Sequence, residues 1–166
     1  MEQELVKAKV RKALRLFVEK DKRELLDAMN IYEPTISHRI AVYLENLFPK
    51  FHIDCEYNKH LGHDKEISTD KKIVDQTTGG TVKIRPDIII HKERGSDTNN
   101  LVMIEVKKAG RDSKAGKEDI NKLKMVIDSS ELHYSLGIFV GVLKTRIDIV
   151  WIEKNNGKAI EKPETL

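Results

Sequence analysis

Apolar residues recur at helical spacing in the first part of the chain. Val6, Val10, Leu14 and Phe17 step by three or four, which predicts one or two amphipathic helices over residues 2–29. Leu25, Leu26 and Met29 would continue this face beyond the charged Glu19-Lys20-Asp21-Lys22 stretch. A further helix is predicted from Glu33-Pro34-Thr35, where Pro34 suits a first-turn position. Ile36, Ile40, Tyr43 or Leu44, and Leu47 supply its buried stripe, and Pro49 ends it. The period then shortens to two. Phe51, Ile53, Cys55 and Tyr57 alternate with His52, Asp54, Glu56 and Asn58, which predicts a half-buried strand.

Residues 59–80 are polar and end in the turn signal Thr77-Thr78-Gly79-Gly80. A minor hairpin is expected here, with Ile73-Val74 against Val82 and Ile84. The strongest strand patterns follow, over Asp87 to His91 and Leu101 to Val106, separated by a polar loop from Lys92 to Asn100. Their continuous apolar runs suit the middle of a sheet covered on both faces. Glu118 to Ile127 reads as a helix with Ile120, Leu123, Val126 and Ile127 on one side. Strands over Leu136 to Leu143 and Ile147 to Ile152 come next, joined at Lys144-Thr145, and the tail from Lys154 is expected to fray. Mixed order with a crossover helix predicts an α/β layer fold. The pattern contains no repeat and is read as a single domain over residues 1–166, with residues 1–30 as an N-terminal helical extension.

Composition narrows the class. Charged residues make up 34% of the 166-residue chain, and its apolar runs fall far short of the roughly 20 residues that a membrane span requires. The opening MEQELVKAKVRKAL has no signal-peptide-like apolar stretch. A single cysteine, Cys55, excludes an intramolecular disulfide. A cytoplasmic protein without a membrane partner is expected. The net charge of +3 says little, but residues 107–124 hold seven Lys/Arg against three Asp/Glu. Such a stretch can neutralise phosphates, although a lysine-rich solvated helix face has the same composition. P-loop, GxGxxG and GxSxG signals are absent, and nothing resembles a dedicated base-reading module such as a zinc finger.

The candidate chemistry lies on the two strongest strands. Asp87 begins one after Pro86, and Glu105 and Lys107 end the next in Ile104-Glu105-Val106-Lys107. Alternation puts Glu105 and Lys107 on the same face. If the strands pair, three charged groups converge at one edge of the sheet, where charge interrupts apolar strands only when paired or metal-bound. Asp87 and Glu105 are hard oxygen donors suited to Mg²⁺ or Mn²⁺. Lys107 beside them suits an electrostatic clamp on a water or a phosphate. In a purely structural alternative, Glu105 and Lys107 form a rim ion pair and Asp87 caps a turn.

Pro86-Asp87 and Glu105-Val106-Lys107, with 17 residues between Asp and Glu, resemble the PD-(D/E)XK nuclease superfamily over residues 33–152. The resemblance implies a restriction-endonuclease-like mixed central sheet flanked by helices and metal-dependent hydrolysis of nucleic acid, DNA before RNA. It also implies Asp87, Glu105 and the Val106 carbonyl as metal ligands, with Lys107 catalytic. Members frequently add an acid from the first core helix, for which Glu33 is preferred to Glu45; Glu33 could instead cap that helix. Substrate contacts are expected from His38, Arg39, Arg85 and Lys108. Many enzymes of this fold act as dimers, so a homodimer is compatible with the resemblance, as is a protein partner that supplies specificity. The rival reading is a nucleic-acid-binding or regulatory module of the same fold without turnover.

Overall fold

The computed structural model describes residues 1–24, 32–56, 59–60, 63–64, 66–68, 81–94, 100–129 and 131–166. Helix α1 spans Gln3–Phe17 and widens into a π turn over Val18–Lys22. It buries Val6, Val10, Leu14 and Phe17, the residues its periodicity selects. Leu25, Leu26 and Met29 lie outside the described residues. Helix α2, Glu33–Leu47, begins with Pro34 in its first turn. Both Tyr43 and Leu44 are buried, along with Ile36 and Ile40, and Leu47 packs against the core partly buried.

The strands are β1 (His52–Cys55), β2 (Lys59–His60), β3 (His63–Asp64), β4 (Glu66–Ser68), β5 (Thr81–Lys83), β6 (Ile88–His91), β7 (Asn100–Lys107), β8 (Leu136–Val142), β9 (Ile147–Asn155) and β10 (Lys158–Thr165). Six of them form one mixed sheet in the order β1-β6-β7-β8-β9-β10. Only β7 and β8 are parallel within it. Helix α3, Lys114–Asp128, makes the crossover between them, as a parallel connection demands. It starts four residues before the predicted Glu118, because the Ser113 hydroxyl accepts from the Gly116 N–H at 3.0 Å and caps it.

Alternation along β6 and β7 builds two cores. Ile88, Ile90, Val102, Ile104 and Val106 face α1 and α2. Ile89 and Met103 face α3 through Ile120, Leu123, Val126 and Ile127. Helix α1 is therefore a full contributor to one sheet face. Trp151 is buried on β9, and its indole N–H donates to Glu164. At the β1 edge, buried His91 meets Asp54 at 2.7 Å, and Arg94 donates to the same carboxylate. The Arg94 guanidinium, helped by His91, holds Asp54 down at about 2 against the opposing effect of burial.

Three expectations are corrected. Cys55 is exposed at the end of β1 rather than on its apolar side, since the strand ends there and Glu56 turns to a positive φ of 50°. Val82 pairs with Ile67 of β4, Ile73-Val74 lies outside the described residues, and Ile84 is buried without joining the strand expected of it. The tail does not fray: β9 runs on to Asn155, and β10 pairs with it residue for residue. Asn156 and Gly157 both take positive φ, 48° and 81°, as a two-residue primed hairpin turn requires. Among the described residues no helix is long and apolar enough to cross a membrane.

Gly141 of β8 lies opposite Lys107 of β7. A Cβ at this glycine would stand 2.6 Å from the Ala109 carbonyl oxygen, so a bare backbone is what lets the chain fold over β8 as it leaves β7. Gly141→Ala is expected to destabilise the protein by about 1–3 kcal/mol, the usual range for overpacking. A urea midpoint equal to that of the wild type would refute this reading.

Candidate functional site

The β6–β7 register places the charged groups. Ile88 opposes Ile104 and Ile89 opposes Met103 in an antiparallel pair, so Asp87, one residue earlier, falls opposite Glu105. Directly opposed side chains in such a pair share a face and lie close together. Here it is the α3 face, and the Asp87 carboxylate accepts from the Val106 N–H at 2.7 Å. The groups converge at the strand ends inside the sheet and not on its edge strand, because β6 and β7 occupy its second and third positions.

Two helices complete the cluster. From α2, one Glu33 oxygen accepts from Lys107 Nζ at 3.2 Å and the other from the Lys108 backbone N–H at 2.9 Å. Both Glu33 carboxylate oxygens are engaged by Lys107 and the Lys108 N–H, so its carboxylate serves the site. Glu45 is exposed at the far end of α2. From α3, Lys122 Nζ stands 2.8 Å from Glu105 and 3.5 Å from Asp119, and Lys107 is 3.6 Å from Asp119. Asp119 and Lys122 were not among the residues predicted from sequence. For Asp119 a signal was present, since at 100° per residue it falls within the arc spanned by Ile120, Leu123, Val126 and Ile127, whereas Lys122 falls outside it.

The other predicted contacts disperse. Arg39 is held by Asp21 of the π turn, at 3.1 and 3.2 Å, and by Tyr43, so it does not join the cluster. His38 and Arg85 are exposed and stand apart from the cluster's ion pairs. Lys108 is exposed next to Lys107, with its backbone tied to Glu33. Part of the basic stretch is neutralised: Lys124 pairs with Glu161 and Lys114 approaches Glu118. Glu56 is exposed, and its backbone N–H donates to the Asp87 carbonyl.

The electrostatics of the site favour the protonated forms of Asp87, Glu105, Lys107 and Lys122. Glu105 is 2% exposed, and burial pushes its carboxyl up to about 8 against the pull of Lys122. Burial raises Asp87 too, opposed by the Val106 N–H and Lys107. Lys107 and Lys122 lose solvation to burial, yet their acidic neighbours hold both ammonium groups above the ordinary lysine value. One oxygen of Glu105 lies within ion-pair distance of Lys122 but has no hydrogen bond of good angle, and an Asp119 oxygen is likewise orphaned.

These residues fit a hard divalent cation. Four carboxylates against two ammonium groups leave a formal −2. The opposed Asp87 and Glu105 supply oxygen donors, one of them unsatisfied. Among the described residues, no three His, Cys, Asp or Glu side chains are gathered to hold a metal by themselves. Mg²⁺ needs no such cage, since it binds through one or two carboxylates with water and substrate phosphate. No family model, curated protein or solved structure matches this chain.

Glu105 makes stability depend on pH. Its folded pKa lies above its unfolded value, so its contribution is complete below about 4.5, the ordinary glutamic acid value, and is lost as pH rises through about 8. In metal-free buffer, Glu105→Gln should flatten the fall in the urea midpoint between pH 5 and pH 8.5. Parallel pH profiles for the two proteins would contradict the buried placement.

Proposed function

We propose that this chain is a metal-dependent nuclease of restriction-endonuclease-like fold that hydrolyses phosphodiester bonds, with DNA as substrate. The observation that carries the reading is the buried Glu105 carboxylate opposite Asp87 at the end of a central strand, with Lys107 on the same face. The run of helix α2, strands β1, β6 and β7, helix α3 and strand β8 supports the fold assignment, with the acids on the antiparallel pair before the crossover. The PD and EVK elements, at Pro86-Asp87 and Glu105-Val106-Lys107, support the family.

Asp87, Glu105 and the Val106 carbonyl oxygen would hold Mg²⁺ or Mn²⁺. When bound, the ion supplies Lewis acidity at phosphate and acidifies water. The remaining work falls to side chains. The Lys107 ammonium, kept charged by Asp119 and Glu33, stabilises the negative charge that builds on phosphate oxygens. It is a poor general base for the same reason. Glu33 is a positioning residue: by bridging Lys107 and the Lys108 N–H it fixes how far the lysine reaches. Exposed Lys108, next to Lys107, and Arg85, two residues before Asp87, would supply contacts to the nucleic-acid backbone, and such contacts are sequence-independent and salt-sensitive.

Purified protein with Mg²⁺ or Mn²⁺ is expected to nick supercoiled DNA and to stop when EDTA is added. Asp87→Asn, Glu105→Gln and Lys107→Met should each lower the rate by about 10²–10³, the scale of losing one preorganised electrostatic group. DNA binding measured in Ca²⁺ should survive these changes. Salt-dependent binding without any cleavage would favour the non-catalytic binding module instead.

A further inference from the structure

Lys122 comes from the crossover helix, outside the residues that define the nuclease reading, and its side chain is only 26% exposed. Its ammonium sits 2.8 Å from the Glu105 oxygen that has no hydrogen bond of good angle, and 3.5 Å from Asp119. A divalent cation bound to Glu105 through that oxygen would meet the ammonium there. Two cations drawn to one carboxylate oxygen repel each other, so the ammonium and the metal ion compete for it.

We infer that Lys122 is a displaceable counter-ion, which neutralises Glu105 until a divalent cation takes that oxygen and is then turned towards the substrate phosphate. The inference rests on the metal reading of Asp87 and Glu105. Three features make the exchange workable. Burial of Glu105 makes an ionised carboxylate without a nearby cation costly, which favours the presence of one positive group or the other. A lysine side chain is flexible and its head is a compact point charge, so it can leave without moving α3. Asp119 remains beside it as a second partner, which keeps the released ammonium at the site. Asp119 also stands 3.6 Å from Lys107, so the freed charge would lie beside the lysine already assigned to the phosphate.

The test is calorimetric titration with Mn²⁺ alone, at one pH, on wild type, Lys122→Met, Lys122→Arg and Lys117→Met, each first checked for folding by circular dichroism. Lys122→Met removes the competitor and should bind Mn²⁺ on the order of tenfold more tightly, the scale of one opposed charge at this distance. Lys122→Arg should bind more weakly than wild type, because a guanidinium holds a carboxylate through two parallel bonds. Lys117→Met removes an exposed charge from the same helix and should change affinity by less than about twofold, as expected for a screened charge. Nicking of supercoiled DNA should fall in Lys122→Met despite the tighter metal. Wild-type binding that Lys122→Met leaves unchanged or weakens overturns the inference alone. Absence of Mn²⁺ binding in every protein overturns the metal reading and this inference with it. If Lys122→Met fails to fold, Lys122→Arg decides: unchanged or tighter binding there overturns the exchange.

Discussion

A carboxylate lies within a buried run that is otherwise apolar from Leu101 to Val106. Glu105 follows Val102, Met103 and Ile104 on a strand buried along almost its whole length, and nothing in the packing of β7 calls for an acid there. Removing a charge from water costs several kcal/mol unless it is compensated, so the neighbouring elements are arranged to meet that cost. Strand β6 ends its pairing so that Asp87 stands opposite, α3 brings Lys122 in from one face, and Lys107 two residues on ties the group to α2 through Glu33. The two helices on opposite sides of the sheet are thus joined electrostatically around one strand end.

That arrangement separates roles among similar side chains. The two lysines are both buried enough to lose solvation and both acid-flanked, but their partners differ. Lys107 is held by Glu33 and Asp119, neither of which opposes another strand carboxylate, so its position does not depend on Glu105. Lys122 is bound to the most deeply buried acid of the group. One lysine is tied to acids of the two helices, and the other to a buried strand carboxylate.

Much of this was legible in the sequence, for identifiable reasons. The helical stripe of Val6 to Phe17 and the β-branched runs of β6 and β7 are strong periodic signals, and charge inside such runs is anomalous enough to mark a site by itself. Asp119 and Lys122 were missed because a lysine-rich helix reads as a solvated face until the position of Asp119 within the apolar arc is noticed. The partner of Arg39 was not legible, because its local sequence cannot reveal Asp21, eighteen residues earlier, which binds its guanidinium. The last strand was missed for a simpler reason. Asn156-Gly157 is a strong hairpin signal, but β10 lacks the clean alternation that marks a strand, because much of it stays in water.

The same solvated strand determines how this sheet can meet other chains. A six-stranded open sheet has two borders, and unpaired strand borders are ready templates for cross-chain pairing. At the β10 border the chain places Lys158, Glu161, Lys162 and Glu164 around Pro163, charges that resist close stacking and a residue with no N–H to give. Extension of the sheet from copy to copy is discouraged on that side. The molecule is left to present its helices, its β1 border and the charged strand end as the surfaces through which it meets anything larger than itself.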